Sequence, residues 1–183
     1  MTELLTSLIR VGVIQFGQFS VPERPNTYAP ITFNLGLLAS YPALLGSLAA
    51  EIAPLVQING LTHMLALPSV IPLATAITLR TGQPLLYPAP ADPDFIEGAY
   101  DYNVPTVLLT GVLTDGFAER ALIKRVKSPG LHVQAIVSMI DLHAGGTIAE
   151  LDPIGWQTGA DIVTTIQNPV LRATVENWLN RSR

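Results

Sequence analysis

Apolar residues along the chain follow the two spacings that distinguish helices from buried strands. Leu4, Leu5 and Leu8 share one helical face, for example, whereas TVLLT at 106–110 is a short continuous apolar run. Helical spacing, with prolines and glycines at the expected ends, predicts helices over residues 2–13, 42–56, 72–82 and 116–127, and a last helix that starts at Asn168-Pro169. Continuous apolar runs predict strands at 62–67, 84–87, 106–110, 131–140 and 160–166.

The order of these elements predicts the fold class. Residues 15–34 indicate short extended pieces, and residues 88–105, which contain four prolines, indicate a loop or an edge hairpin. The remaining strands alternate with helices, which is typical of βαβ units. We therefore predict an α/β fold with a mostly parallel central sheet flanked by helices. A length of 183 residues without repeats or linkers predicts one domain, 1–183.

Composition adds that much of the chain is buried. Apolar residues make up 49% and charged residues 13%, the latter about half the share of an average soluble domain. Two long uncharged runs, 25–50 and 52–79, are interrupted by prolines and polar residues, so neither predicts a membrane span. Glu3 and the lack of a basic segment before the first apolar residues argue against a signal peptide. We predict a soluble, cytoplasmic protein.

The charge pattern excludes several classes of function. The net charge of −4 and the absence of a basic block argue against nucleic-acid binding. The chain has no cysteine, and its three histidines lack ligand spacing, so we predict no metal site. Between Thr81 and Glu119 there are acidic residues but no lysine or arginine. A polyphosphate bound there would be repelled, which favours a neutral or cationic ligand, or none.

Ligands of parallel sheets bind at the carboxyl ends of the strands, where the turns ALPSVIP, TGVLTDGF and DLHAGG fall. The TDGF turn has one glycine and the hydroxyl of Thr114, as a phosphate loop would. Asp115, however, places a negative charge where the phosphate should lie, and an ordinary helix cap at Thr114 or Asp115 is the simpler interpretation. Asp141 and His143 could serve as an acid–base pair, although such residues at a strand end are usually turn formers.

Six segments carry a resemblance in the same order along the chain: FGQFSV (16–21), ITFNLGLLASYP (31–42), LPSVIPLATAITLRTGQP (67–84), FIEG (95–98), TVLLTGVLTDGF (106–117) and DLHAGG (141–146). Together they resemble orotate phosphoribosyltransferase, of the type I phosphoribosyltransferase family. The resemblance implies a small hood, formed by the N- and C-terminal segments, over the central sheet. It also implies a homodimer.

The resemblance assigns three groups of site residues. These are a phosphate and ribose loop at Thr110, Gly111, Thr114, Asp115, Gly116 and Phe117, a pyrophosphate loop at Ala66, Leu67, Pro68 and Ser69, and a base pocket at Phe33, Asn34, Asp141 and Leu142.

The chain departs from the family pattern at most of these positions. Thr110 and Gly111 replace two adjacent acids that hold the ribose hydroxyls, and Leu142 replaces an arginine that contacts orotate. The phosphate loop is usually Thr-Thr-Gly-Gly, but here it is TDGF. Ala66 replaces a glycine of the pyrophosphate loop, and the hairpin at 87–95 lacks the family's lysines and histidine.

These departures remove the ligands of ribose and its magnesium, and the cations that neutralise departing pyrophosphate. We therefore predict a non-catalytic relative, acting as a ligand-binding or assembly homodimer with a small-molecule ligand in the cleft and no cofactor. The alternative is an active phosphoribosyltransferase that joins orotate or another base to phosphoribosyl pyrophosphate and requires Mg²⁺. A third hypothesis is a different small-molecule enzyme that uses Asp115, Asp141 and His143.

Overall fold

The computed structural model describes residues 2–20, 27–58, 60–128, 130–142 and 146–181. Within these ranges the helices are α1 (Thr2–Arg10), α2 (Pro42–Val56), α3 (Ile71–Thr81), α4 (Phe117–Val126), α5 (Gly159–Thr164) and α6 (Pro169–Arg181). The strands are β1 (Ile14–Ser20), β2 (Tyr28–Phe33), β3 (His63–Ala66), β4 (Leu85–Pro88), β5 (Ile96–Glu97), β6 (Val104–Leu113), β7 (Leu131–Asp141) and β8 (Pro153–Thr158). Short 3-10 turns at Leu35–Ser40 and Pro68–Val70 precede α2 and α3.

The central sheet has the strand order β5-β4-β3-β6-β7-β8. Its neighbouring strands are parallel except for β4 and β5, which form an antiparallel hairpin at the edge. The predicted α/β fold with a mostly parallel sheet is therefore confirmed, and the structure selects the edge hairpin over the loop for the proline-rich segment.

The central strands are buried on both faces, which explains their continuous apolar sequence. In β6, Val107 and Leu109 pack with the helices α1, α2 and α3, while Leu108 and Leu113 pack on the opposite face, beneath α4. The run TVLLT thus contributes alternately to two hydrophobic clusters.

The predicted hood is a two-stranded antiparallel sheet, β1 and β2, covered by the C-terminal helix α6. Phe16 of β1 packs against a hydrophobic cluster that includes Val175 and Leu179 of α6. The side chain of Asn168 starts α6, because its Oδ1 accepts hydrogen bonds from the backbone N–H groups of Val170 (2.9 Å) and Leu171 (3.1 Å). The N- and C-terminal segments therefore form the hood together.

The sequence predicts a strand over residues 160–166, and that prediction is wrong. These residues fall largely in α5, which starts with a capping box: the N–H of Thr158 donates to Asp161 Oδ2 (2.7 Å), and the N–H of Asp161 donates to Thr158 Oγ1 (3.3 Å). The edge strand is β8 instead, which the sequence does not signal because Pro153 and Gly155 are poor strand formers except at a sheet edge.

Other predictions hold more closely. Helix α2 has the predicted bounds, and α3 ends at Gly82, whose φ of 73° is the left-handed conformation that glycine adopts readily. No helix in the described part of the chain has the length and apolar character needed to cross a membrane. The single domain over 1–183 stays a prediction.

Candidate functional site

A cavity of about 620 Å³ opens at the carboxyl end of the sheet, between the hood and the turns that follow β3 and β6. It brings together members of all three predicted groups: Phe33, Asn34 and Leu142 of the base pocket, Pro68 and Ser69 of the pyrophosphate loop, and Thr114 of the phosphate loop. Trp178 of α6 also lines the cavity, although no feature of the sequence around it indicates a site. Trp178 reaches the cleft because α6 packs against the β-strands of the hood.

The space for an acid at position 111 is filled by apolar side chains. The sequence predicted that the strand TVLLT ends at Thr110. Strand β6 continues to Leu113, however, so Gly111 lies within the strand. A Cβ atom at Gly111 would overlap Cδ1 of Leu35 and lie 2.9 Å from Cγ1 of Val70. Leu35 and Val70 are both buried. The glycine therefore allows two hydrophobic residues to close the position where the resembled enzymes place a carboxylate.

The neighbouring position, Thr110, faces helix α4. Thr110 is 1% exposed and its hydroxyl donates a hydrogen bond of 2.6 Å to Oε1 of Glu119, which is 3% exposed. Sequence reasoning missed Glu119 because an acid in the first turn of a helix is common for electrostatic reasons alone. This buried pair joins β6 to α4, and neither residue lines the cleft.

In the phosphate and ribose loop, the carboxylate of Asp115 binds the backbone of the loop itself. The Asp115 Oδ1 atom accepts a hydrogen bond of 3.0 Å from the backbone N–H of Phe117, at the start of α4. The guanidinium of Arg120 donates to the backbone carbonyl of Asp115. A carboxylate thus takes the N–H group that a bound phosphate would use.

Two expectations about this turn need correction. The helix cap is Gly116, with φ of 70°, and neither Thr114 nor Asp115 occupies that position. The side chain of Phe117, which the resemblance assigned to the phosphate and ribose loop, is 74% exposed and does not line the cleft. The turn is instead covered by Ile148, whose Cδ1 would be 2.6 Å from a Cβ at Gly116.

The pyrophosphate turn has few N–H groups to offer. The N–H of Leu67 donates to Leu109, that of Val70 donates to Leu67, and that of Ile71 donates to Pro68. Prolines occupy positions 68 and 72 and have no N–H. Ala66 is fully buried in β3. Ser69 is the remaining member of this turn and contributes its side chain to the cleft.

The described residues that line the cleft include no charged side chain. Asp141 ends β7, where its Cβ lies 2.6 Å from the position that a Cβ of Gly155 would take, and it does not line the cavity. His143 lies outside the described residues. In the described ranges, no group of three or more histidine, aspartate or glutamate side chains is placed to hold a metal ion.

Comparison with known proteins agrees with this architecture. No family model matches the chain. A curated orotate phosphoribosyltransferase of Methanocella arvoryzae is 26% identical over 153 residues, which cover 79% of this chain and 85% of that protein.

Two solved structures agree in fold. Leishmania donovani UMP synthase has a TM-score of 0.87 and 24% identity, and the match covers 98% of this chain but only 42% of that one. Orotate phosphoribosyltransferase from Aeropyrum pernix has a TM-score of 0.72 and 19% identity, with 88% and 97% covered. The chain therefore has the fold of the type I phosphoribosyltransferases. Its sequence is similar to that of an orotate phosphoribosyltransferase.

Proposed function

We propose that this protein is a catalytically inactive relative of orotate phosphoribosyltransferase that binds a small uncharged ligand in the cleft. The observation that carries the proposal is the closed position at Gly111, where Leu35 and Val70 fill the space of a ribose-binding acid. A carboxylate could occupy this position only if the side chains of Leu35 and Val70 moved away from it.

The two anion-binding turns support the same conclusion. Transfer of a phosphoribosyl group requires donors for the 5′-phosphate and charge stabilisation for departing pyrophosphate. Here Asp115 accepts a hydrogen bond from the N–H of Phe117, and the N–H groups of Leu67, Val70 and Ile71 at the pyrophosphate loop donate to carbonyls of the protein itself. The described residues that line the cleft include no cation, and Arg120, which lies near the phosphate loop, donates to the Asp115 carbonyl.

The lining of the cleft indicates the ligand's chemistry. Phe33 and Trp178 offer aromatic surface, and Asn34 offers an amide that both donates and accepts hydrogen bonds. Leu142 stands where an arginine would pair with a carboxylate. We therefore propose a flat, neutral heterocycle as the class of ligand. The cytoplasmic location predicted from composition is part of the same proposal.

Calorimetric titration and a turnover assay test this function. With Mg²⁺ present, we expect no heat from phosphoribosyl pyrophosphate or orotidine monophosphate at millimolar concentration, and no nucleotide product from orotate. The Methanocella arvoryzae relative, assayed in parallel, is the positive control. Micromolar binding of phosphoribosyl pyrophosphate together with turnover would contradict the proposal and support the alternative, an active phosphoribosyltransferase.

We further propose that the protein is a homodimer that pairs through the outer faces of α2 and α3. Residues 25–79 contain a single charged residue, Glu51. The exposed residues of α2 are accordingly small or uncharged apart from Glu51: Pro42, Ala43, Gly46, Ser47, Ala50 and Pro54. Leu79 of α3 is 84% exposed. The charged residues exposed on these two helices are Glu51 of α2 and Arg80 of α3. A surface with so little charge can pair with its own copy with little matching of ion pairs, as a two-fold interface requires.

Substitution of Leu79 tests the dimer. We expect Leu79→Arg to weaken self-association about tenfold or more, because the interface would bury an unpaired cation from each copy. Sedimentation equilibrium measures the dissociation constant. Val170→Arg is the matched control, since Val170 is a similarly exposed apolar residue (75%) on α6, outside the proposed face. A monomeric wild-type protein, or equal effects of both variants, would contradict this interface.

A further inference from the structure

A second cavity, of about 420 Å³, lies beneath the hairpin that joins β4 to β5. One wall is the hairpin itself, with Pro88, Ala89 and Pro93, and the opposite wall is the surface of α4, with Ala118 and Ala121. Leu67 and Pro68 separate this cavity from the cleft described above, on whose edge Pro68 also lies. The second cavity is therefore adjacent to the first but opens on the α4 side of the sheet.

Arg125 of α4 binds the hairpin and holds it over this cavity. Its Nε lies 3.0 Å from Asp94 Oδ1, and its Nη1 donates a hydrogen bond of 3.2 Å to the backbone carbonyl of Pro93. Within the described ranges of the chain, this is the one salt bridge. The side chains of Arg125 and Asp94 are 36% and 83% exposed, and exposed pairs contribute little to stability. The contact can therefore open and close at small cost.

The hairpin keeps its own shape independently of this contact. The N–H of Ala89 donates to the Phe95 carbonyl (2.9 Å), and the N–H of Phe95 donates to the Asp92 carbonyl (2.9 Å). The N–H of Asp94 donates to Asp92 Oδ1 (3.1 Å). Strand β4 is anchored by its pairing with β3, and Ile96 is buried, so only the tip of the hairpin, residues 89–95, is free to move when the contact with Arg125 is released.

The walls of the cavity define what it can hold. Prolines and alanines predominate, and they leave space that longer side chains would fill. Arg125 is the charged residue of the described lining, and its guanidinium is already bound to Asp94 and Pro93. An anion would have to displace Asp94, whereas an uncharged apolar molecule displaces only water. The volume lies within the range of known small-molecule sites.

We propose that the cavity beneath the hairpin binds a small, uncharged apolar molecule, and that the Arg125–Asp94 contact holds the hairpin closed over it. This second site does not depend on the proposed function of the cleft, because the two cavities differ in lining and opening.

Methyl NMR of the protein labelled with ¹³C at its alanine methyl groups tests the site, with toluene as the probe. We expect saturable shifts of the Ala89, Ala118 and Ala121 resonances, while Ala43 and Ala50 on α2 do not shift. Filling the cavity with Ala121→Phe should weaken toluene binding about tenfold. Ala118→Leu, at an exposed position in the first turn of α4, is a second cavity-filling variant that keeps the test valid if the first does not fold.

The role of the hairpin contact is tested separately. We expect Arg125→Gln to weaken toluene binding several-fold, and Lys124→Gln, which removes an adjacent exposed cation, to leave it unchanged. Non-saturating shifts, or shifts that extend to Ala43 and Ala50, would overturn the site. Saturable binding of benzoate without any response to toluene would overturn the uncharged class of ligand, because Arg125 would then be recognising an anion.

Discussion

Replacing Gly111 with aspartate is expected to lower the free energy of unfolding by about 3–5 kcal/mol. The new side chain would overlap Leu35 and press on Val70, and it would bring a carboxylate into apolar surroundings. Restoring the family's acid at this position should therefore damage the fold without creating any phosphoribosyl transfer. Urea unfolding measures the first effect, and the turnover assay described above measures the second.

Two glycine-to-alanine variants distinguish the steric effect of the aspartate side chain at position 111 from the effect of its charge. Gly111→Ala should cost about 1–3 kcal/mol, because its methyl group meets the same side chains. Gly46→Ala is the control: no heavy atom lies within 4 Å of the place that its methyl group would take in helix α2, so stability should rise by about 0.5–1 kcal/mol. In a Leu35→Ala background, Gly111→Ala should cost less. An undiminished cost there would contradict the role assigned to Leu35.

Replacing Thr110 with valine is expected to destabilise the protein by about 2–4 kcal/mol. The change keeps the shape of the side chain but removes the hydroxyl that donates to Glu119. Glu119 is 3% exposed, so its carboxyl group would lose this donor in a setting where water cannot readily replace it. Thermal or urea unfolding of the variant measures the effect.

Thr106→Val is the matched control for this substitution. Thr106 lies on the same strand and is fully buried, but its hydroxyl donates to a neutral partner, the carbonyl of Val104 (2.9 Å). We expect a cost of about 1 kcal/mol there. Glu119→Gln, which keeps an oxygen acceptor for Thr110, should also cost less than Thr110→Val. If Thr110→Val and Thr106→Val lowered the free energy of unfolding equally, the hydrogen bond to Glu119 would contribute no more than one to a neutral carbonyl.

The elements predicted well from sequence are those whose ends carry a local signal. Pro42 starts α2 at the first turn, Gly82 ends α3 in the left-handed conformation, and Asn168 caps α6 through its side chain. Each signal acts through the backbone of a few adjacent residues and does not depend on the rest of the fold. Helix ends that carry such signals can therefore be predicted from the sequence.

The errors occur where two local signals compete. The β-branched residues of ADIVTTI favour a strand, yet the reciprocal hydrogen bonds of Thr158 and Asp161 start a helix there. Strand β8 was not predicted because it contains a proline and a glycine, which strands tolerate only at the edge of a sheet. That β8 is an edge strand follows from the strand order, which is a tertiary property. Propensity alone could not decide either case.

The α/β fold and the absence of the family's acids and cations from the expected positions can be read from the chain alone, because motif order and residue identity are properties of the chain. Which side chains take the place of those acids and cations depends on tertiary packing. Leu35 is distant from Gly111 in sequence, and Trp178 is distant from Phe33. Leu35 approaches Gly111 from the 3-10 turn before α2, and Trp178 reaches the cleft because α6 packs against the β-strands of the hood. Likewise, Asp94 and Arg125 become partners because the hairpin folds onto α4. Contacts between distant residues arise from packing, which no local pattern specifies.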